Sequence, residues 1–489
     1  MGKLKKLFAK YQNMNKAAKA TIWFVICSFF QRGITVLTTP IFTRLLNTEE
    51  YGIYSVFSSW LEIFTVIVTM RISYGAYMRN IIKKPEIREQ YASSLQGLTC
   101  VQVAVWFVVY FLLRNQVDRY LGLDVPMMLC MFGMILFSTW FSFWAARERV
   151  DYNYRKLVGV TVAISILKPL VGIILVLSTE HHKVMARIIG LVAVEFVVYV
   201  GMFISQMKKG KVFYHKQYWF EAMKFNLPLV PHYLSQIVLN HSDRIMIDHF
   251  CGSDAAGIYS LAYSMAMLLV TFNTSLQNTI TPWNYQQLKD KNYAGISKIG
   301  NLTSLIVAGA NFALILIAPE ALKIFAPPSY HEALYVIPPV AMGVYFMFLY
   351  SRFINIEMYY GKNKYVMTAS VLGAILNIIL NWIFIPIFGY IAAAYTTLVS
   401  YIFYSSMHYV FTNRIRKQEN IKSQIYDIKT LFLISVGFTG ISFLMMLTYQ
   451  HTIIRYGIIA VFVVVMIIFR KKIISIFKEF LSMKKRSKK

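Results

Sequence analysis

Charged residues are scarce in this sequence, and negative charge is the scarcer sign. Asp, Glu, Lys and Arg together make up 15% of the 489 residues, against about 25% in an ordinary soluble domain. Only 22 residues are acidic, against 50 Lys and Arg, while 57% of the chain is hydrophobic. This composition excludes an ordinary water-soluble globular protein.

The signatures of common enzymes and metal sites are also missing. The four cysteines are scattered without the CxxC or Cys/His spacing of a zinc site, and no HExxH, GxGxxG or GxxxxGK motif occurs. A membrane glycosyltransferase would be expected to carry an acidic DxD pair, which is absent as well. We therefore predict neither enzymatic activity nor a metal or other cofactor.

Long apolar runs dominate what is present. A helix needs about 20 apolar residues to cross a hydrocarbon core about 30 Å thick. We predict an all-α, polytopic membrane protein with about fourteen transmembrane helices, at residues 17–39, 52–74, 91–113, 122–145, 157–178, 184–206, 222–243, 256–282, 297–318, 332–357, 364–386, 389–412, 430–449 and 453–469.

Positive charge alternates between the predicted loops. With the N-terminus inside, 39 of the 50 Lys and Arg residues fall on the cytoplasmic side and 8 in the opposite loops. This asymmetry follows the positive-inside rule and places both termini in the cytoplasm. A nucleic-acid surface would not alternate loop by loop, so no nucleic-acid partner is predicted. The basic tails are expected to contact anionic membrane lipids.

Two segments of the sequence match at an offset of 205: residues 46–55 (LNTEEYGIYS) and 251–260 (CGSDAAGIYS). Each has a residue that commonly caps helices, Asn47 or Ser253, before a predicted helix. Six helices separate the copies, so the two halves should enter the membrane in the same direction, as parallel repeats. We predict two pseudo-symmetric six-helix lobes at residues 1–206 and 222–413, a cytoplasmic linker at 207–221, and two C-terminal helices with a basic tail at 414–489.

Polar residues recur on one face of several predicted helices, where they normally face protein or a water-filled cavity. A central cavity between the lobes is therefore predicted. Its lining is Ser28, Arg32 and Thr35 of the first helix, Glu62 of the second, Gln236 and Asn240 of the seventh, and Asn278 of the eighth. Ser370, Asn377 and Asn381 of the eleventh would extend this wall. Packing between helices would use the same small residues.

The charged residues inside the helices leave alternatives open. Arg32 lies about 12 Å from the outer end of its helix, so it either faces an anion or forms an ion pair, with Glu62 as one partner. Lys168 precedes Pro169, where a freed carbonyl could hold the ammonium. Glu62 is the first candidate for coupling transport to an ion gradient, and Lys168 is the second.

Further charges and prolines carry weaker predictions. Arg352 with Glu357, and Glu195, could be packing pairs. Arg44 and Arg244 lie near the predicted outer mouth, where solvated ends are the default. Pairs of prolines in the seventh and tenth predicted helices predict kinks: Pro228, Pro231, Pro338 and Pro339.

Four segments carry a resemblance to a known family: residues 39–54 (TPIFTRLLNTEEYGIY), 226–231 (NLPLVP), 242–247 (SDRIMI) and 376–389 (LNIILNWIFIPIFG). They resemble the Wzx-type polysaccharide flippases of the multidrug/oligosaccharidyl-lipid/polysaccharide exporter superfamily, and the likeness covers most of the chain. That family commonly continues with Gly-Ala-Ala where this chain has Ile-Ala-Ala at 391–393, so close packing there is expected to differ.

The resemblance implies a flippase that moves a polyprenyl-diphosphate-linked oligosaccharide to the outer leaflet of the bacterial cytoplasmic (inner) membrane. Such a precursor would serve capsule, O-antigen or another envelope polysaccharide, with a polysaccharide polymerase and glycosyltransferases as partners. Arg32, Arg44 and Arg244 would attract the diphosphate. Alternating access is the expected mechanism.

Three other functions remain as alternatives. A peptidoglycan lipid II flippase fits fourteen helices equally well. A multidrug or cation antiporter of the same superfamily would favour a more acidic cavity than Arg32 provides. A membrane polysaccharide polymerase would usually carry a long outer loop, and none is predicted here.

Overall fold

Helices make up almost all of the protein. The computed structural model describes residues 11–12, 14–468 and 470, and these contain eighteen α-helices and no β-strand. The chain divides after Ile245 into two compact units. The predicted all-α class is confirmed, whereas the lobe boundaries and the symmetry of the repeat stay predictions.

Within the described residues, the first unit contains nine helices and part of a tenth. They are α1 (Lys16–Leu45), α2 (Thr48–Thr69), α3 (Ala76–Lys83), α4 (Arg88–Leu112), α5 (Arg114–Leu121), α6 (Val125–Val150), α7 (Tyr154–Leu177), α8 (Lys183–Gly210), α9 (Lys216–Asn226) and α10 (Val230–Cys251). Helix α8 packs against α4, α6 and α7, and α7 packs against α1. The α7–α8 contact needs glycine, because a Cβ on Gly190 would lie 3.0 Å from the backbone of Gly172.

The second unit holds the remaining helices of the described chain. They are α11 (Ser253–Lys289), α12 (Tyr293–Leu316), α13 (Ala318–Phe325), α14 (Ile337–Tyr359), α15 (Asn363–Phe388), α16 (Ile391–Gln418), α17 (Ile428–Leu447) and α18 (Thr452–Ile468). Helix α14 packs against α11, α12 and α16. It therefore occupies the core of this unit.

Eleven helices of the described chain are long and apolar enough to cross a membrane: α1, α2, α4, α6, α7, α8, α11, α12, α14, α15 and α17. The other three predicted crossings coincide with α10, α16 and α18. Residue 469, the predicted end of the last one, lies outside the described residues. The polytopic membrane fold predicted from the apolar runs is therefore confirmed.

The seventh predicted crossing begins at a different residue, and three of the four prolines lie in the first turn of a helix. Helix α10 begins at Val230 instead of residue 222, after a 3₁₀ turn that contains Pro228. Pro231 lies in the first turn of α10, and Pro338 with Pro339 lies in the first turn of α14. Proline fits a first turn because its missing N–H would have no partner there. Pro231, Pro338 and Pro339 thus lie at helix starts, whereas Pro228 lies in the 3₁₀ turn between α9 and α10 and its predicted kink stays a prediction.

The two copies of the repeat begin their helices differently. Asn47 caps α2 as predicted: its side chain accepts from Glu50 N at 2.7 Å, and the Glu50 carboxylate accepts from Asn47 N at 3.0 Å. Ser253 does not cap α11. Gly252 occupies the cap position with a left-handed φ of 87°, and the Ser253 hydroxyl donates to Asp248 Oδ1 at 2.6 Å.

Candidate functional site

The polar stripe of α1 is exposed, as is every residue from Ser28 to Gly33. Ser28, Arg32 and Thr35 are all exposed. The two hydroxyls donate to carbonyls one turn back, Ser28 to Phe24 O at 3.0 Å and Thr35 to Gln31 O at 3.1 Å, as is common for Ser and Thr in membrane helices. No carboxylate among the described residues forms an ion pair with Arg32.

Glu62 of α2 pairs with Arg71 instead of Arg32. The Arg71 Nη2 to Glu62 Oε2 distance is 3.7 Å, and the side chains are 33% and 46% exposed, respectively. Arg71 reaches back because Met70 and Arg71 both adopt left-handed backbone conformations, with φ of 49° and 47°, which turn the chain at the end of α2. Sequence reasoning had counted Arg71 only as a cytoplasmic loop charge. No local signal predicted this turn.

Helix α10 brings further polar groups toward Arg71. The Arg71 guanidinium carbon lies 5.9 Å from the centre of the Tyr233 ring. His241 lies three residues before Arg244 on the same helix. Sequence reasoning did not single out His241, because a histidine in a helix is most often a packing residue.

Arg244 is not a solvated helix end. Because α10 runs from Val230 to Cys251, Arg244 lies nearly two turns inside the helix, where it is only 8% exposed and Nη1 donates to Asn240 O at 2.7 Å. The Asn240 amide donates to Gln236 O at 2.7 Å. The structure thus aligns three predicted site residues, Gln236, Asn240 and Arg244, on one face of α10.

Arg44 ends α1 as an exposed side chain whose Nη1 donates to Pro40 O at 2.8 Å. Near it in sequence, Phe42 stacks on the guanidinium of Arg187, with 3.8 Å between the guanidinium carbon and the ring centre. The Tyr54 ring contacts the same guanidinium at 3.5 Å. Contacts of this kind are worth about 0.5–2 kcal/mol. Arg187 of α8 therefore joins this helix to α1 and α2.

Lys168 is held by a carboxylate and not by a freed carbonyl. Its ammonium donates to Glu195 Oε1 of α8, and the Glu195 side chain is 4% exposed. Pro169 lies inside α7 without ending it. The ion pair accounts for the presence of both charged side chains inside membrane helices. The role of Lys168 in ion coupling stays a prediction.

The second unit keeps most of its intramembrane polar groups in packing contacts. Arg352 and Glu357 do not pair with each other: Arg352 donates to Gly300 O and to Ser304 Oγ, the latter at 2.8 Å, and Glu357 Oε1 lies 2.8 Å from His408 Nδ1. A Cβ on Gly300 would collide with the Arg352 guanidinium. This pairing corrects the sequence prediction.

The residues of α15 that were predicted to extend the cavity wall are buried as well. Ser370, Asn377 and Asn381 are fully buried. Asn377 donates to Thr397 Oγ1 at 3.1 Å, and Ser370 Oγ lies 2.9 Å from the Tyr404 hydroxyl, so these side chains join α15 to α16. Asn278 of α11, by contrast, is exposed. No cluster of three His, Cys, Asp or Glu residues suited to a metal occurs in the described chain.

Comparison with known proteins agrees with this architecture. The model of the polysaccharide biosynthesis protein family matches residues 17–287, more than half of the chain, and the MatE model matches residues 228–383. Protein 1 of the Lsg locus of Haemophilus influenzae is 20% identical over 74% of this chain and 90% of its own length.

Two further relatives are flippases by name. The probable low-salt glycan biosynthesis flippase Agl15 of Haloferax volcanii is 21% identical over 80% of this chain and 82% of its own. The fold resembles that of the lipid II flippase MurJ in an inward closed conformation, with a TM-score of 0.68 and 15% identity over 92% of this chain and 100% of that one. The chain therefore belongs to the polysaccharide biosynthesis protein family of the multidrug/oligosaccharidyl-lipid/polysaccharide exporter superfamily.

Proposed function

We propose that this protein is a flippase for a polyprenyl-diphosphate-linked oligosaccharide, a precursor of envelope polysaccharide. The observation that carries the proposal is Arg32, exposed in the middle of α1 with no carboxylate partner in the described chain. A guanidinium in contact with lipid at this depth would cost about 2.5–3.5 kcal/mol or more. It is therefore expected to face water or an anion, and a diphosphate is an anion suited to guanidinium donors.

The surrounding charge supports an anionic ligand over an organic cation. Arg32, Arg71 and Arg244 are three guanidinium groups, whereas Glu62 is the one predicted lining carboxylate and already pairs with Arg71. A drug or cation antiporter would need free negative charge at this position. The excess of guanidinium groups favours the diphosphate.

The ion pair between Glu62 and Arg71 is weak, so either residue can change its partner. At 3.7 Å it is longer than the 2.7–2.9 Å of a charge-assisted hydrogen bond, and half-exposed pairs contribute about 0–1 kcal/mol. A diphosphate can therefore take Arg71 from Glu62 at little cost. The released Glu62 would then bind a proton or cation, which couples translocation to an ion gradient.

Hydrogen bonds to the sugar are assigned to neutral side chains. Ser28 and Thr35 are exposed beside Arg32, and Gln236 and Asn240 share a face of α10. Asn278 of α11 is exposed as well. In this proposal the sites open alternately to the two faces of the membrane, Arg44 attracts the diphosphate at the outer end of α1, and both chain termini are cytoplasmic.

A translocation assay with several substrates tests the function. Purified protein would be reconstituted into vesicles that carry a fluorescent polyprenyl-diphosphate oligosaccharide, lipid II or a lipophilic organic cation, and transfer would be read as loss of fluorescence to an impermeant quencher. We expect transfer of the oligosaccharide lipid and little transport of the cation. Faster transfer of lipid II would replace the proposed substrate, and transport of the cation alone would overturn the proposal.

A further inference from the structure

A second cationic feature lies in the first unit, apart from the residues discussed so far. Where α1 and α7 begin, the structure forms a pocket of about 440 Å³. It is lined by Lys16, Lys19, Tyr152, Asn153, Tyr154, Arg155 and Lys156. Four of these seven residues are cationic and none is acidic. We refer to this cavity as the basic pocket.

Two helix N-termini add to the positive potential of the basic pocket. Helix α1 starts at Lys16 and α7 at Tyr154, and neither carries an acidic residue in its first turn. Each N-terminus behaves as roughly half a positive charge with unpaired N–H groups. Acidic side chains near a helix N-terminus would offset this potential, and here Lys16, Lys19, Arg155 and Lys156 increase it.

The loop between α6 and α7 is fixed in the shape that forms the pocket. Tyr152 adopts a left-handed conformation with φ of 53°, which is uncommon for a residue other than glycine. Asn153 N donates to Glu148 O at 2.8 Å. The Lys16 ammonium donates to Asp151 O at 3.0 Å and to Asn153 Oδ1 at 3.2 Å. An ammonium has three N–H donors, so one donor of Lys16 remains for a ligand.

The nearest acidic side chain is already neutralised. Asp151 Oδ1 accepts from Arg88 Nη1 at 2.7 Å, and Asp151 Oδ2 lies 3.8 Å from Arg147 Nε. No described carboxylate pairs with any of the four cations of the basic pocket. The four cations therefore keep their net positive charge, which an anionic ligand would offset.

An aromatic wall places the basic pocket at the membrane boundary. Trp23 stacks on Tyr154 with ring centres 6.5 Å apart and planes at 11°, and Trp23 Nε1 donates to the Tyr11 hydroxyl at 2.8 Å. Trp and Tyr concentrate at the level of lipid headgroups. A ligand of this pocket would therefore meet it from the bilayer.

We propose that the basic pocket binds the phosphate of a membrane lipid. The four cations, two helix N-termini and aromatic wall together match an anionic headgroup whose acyl or prenyl chain stays in the bilayer. The phosphate could belong to an anionic phospholipid or to a polyprenyl diphosphate. The site is separate from Arg32, and its binding of an anionic phospholipid would not depend on the transported substrate.

Lipid binding to the purified full-length protein tests this proposal. Delipidated protein in detergent would be titrated with phosphatidylglycerol, undecaprenyl diphosphate, zwitterionic phosphatidylcholine or inorganic pyrophosphate, and bound molecules counted by native mass spectrometry. We expect the first phosphatidylglycerol or undecaprenyl diphosphate to bind at least about tenfold more tightly than phosphatidylcholine. Each cation removed should weaken anionic binding by about fivefold.

The test variant combines Lys16→Gln, Lys19→Gln, Arg155→Gln and Lys156→Gln, and it should lose the preference for anionic lipid. Its matched control removes four exposed basic residues outside the pocket, Lys83, Lys84, Lys208 and Lys209, also by glutamine, and should keep the preference. Single variants and melting temperatures identify any loss due to misfolding. An unchanged preference in the test variant, or an equal loss in the control, would overturn the proposal.

Comparison of the four titrations also identifies the source of the phosphate. Tighter binding of undecaprenyl diphosphate than of phosphatidylglycerol assigns the pocket to the polyprenyl lipid, and the reverse order assigns it to the phospholipid. Pyrophosphate that binds as tightly as either lipid would overturn the role of the membrane in the proposal.

Discussion

Two ion pairs in the membrane helices, one from each unit, have opposite surroundings. In the first unit, Glu62 and Arg71 are 46% and 33% exposed and 3.7 Å apart. In the second, Glu357 and His408 are both fully buried and 2.8 Å apart. The second contact is short and closed, so no ligand can reach it without a rearrangement of α14 and α16.

This difference separates charges that stabilise the fold from charges that are available to a ligand. A buried polar group must keep its partner, because an unpaired one pays its full desolvation cost. A half-exposed pair can exchange its partner cheaply. Sequence alone gives both pairs the same appearance, an acid among apolar residues, and only their surroundings distinguish them.

The largest effect on stability is expected for Arg352→Ala. The substitution removes a fully buried guanidinium, leaves Gly300 O and Ser304 Oγ without their donor, and opens a cavity. We expect the free energy of unfolding to fall by about 3–5 kcal/mol, measured by denaturant unfolding in detergent. Arg114→Ala, at an exposed arginine of α5, serves as the control and should change it by less than about 0.5 kcal/mol. Equal effects would contradict the division between sealed and accessible charges.

Glu357→Leu should have a somewhat smaller effect. It leaves His408 Nδ1 buried without its partner, which should cost about 1–3 kcal/mol. Adding His408→Leu to the same chain should restore most of the loss, because replacing both members of a buried polar pair is often neutral. A double variant as unstable as the sum of the two single variants would show that each residue stabilises the fold through contacts other than the one between them.

Arg32→Ala should affect transport and leave the fold intact. Hydrogen bonds to charged groups contribute about 1.5–3 kcal/mol, which corresponds to roughly a 10- to 150-fold slower transfer of oligosaccharide lipid in vesicles. Arg32 is exposed and has no ion-pair partner among the residues described. The free energy of unfolding of the alanine variant should therefore differ from that of the native protein by less than about 0.5 kcal/mol. Arg32→Lys keeps the charge and should retain part of the activity. Normal transport by the alanine variant would remove Arg32 from the site.

Glu62→Gln should have the smallest effect on stability, under about 1 kcal/mol, because its ion pair is half-exposed. Its effect should appear in coupling: downhill transfer of the lipid continues, while the dependence of transfer on an imposed pH or sodium gradient is lost. A variant that responds to both gradients as the native protein does would assign coupling to another residue.

The sequence predicts the helices well and the pairing of charges poorly. Apolar length is a local property, so thirteen of the fourteen predicted crossings largely overlap one helix each, and the seventh overlaps α10 in part. The start of α10 was misplaced because the apolar run continues across Pro228, and only the backbone of residues 227–229 reveals the turn. This shift also moved Arg244 from an expected helix end into the buried interior of a helix.

Partners distant in the sequence explain the remaining errors. Lys168 and Glu195 are 27 residues apart and Glu357 and His408 are 51 apart, so their contacts depend on how helices pack. Helical spacing predicted Ser28, Arg32 and Thr35 on one face of α1, and all three are exposed, while their role in binding stays a prediction. It could not reveal that Glu62 is paired with Arg71, because the left-handed turn at Met70 has no glycine to signal it.

The most direct test of whether accessible positive charge binds the diphosphate is a binding measurement. The affinity for a polyprenyl-diphosphate oligosaccharide is compared between two purified variants. We expect Arg32→Ala to weaken binding by about tenfold or more and Glu62→Gln to leave binding unchanged or tighten it, since it releases Arg71 and removes a negative charge. Equal weakening by both variants, or no change in the alanine variant, would contradict this assignment.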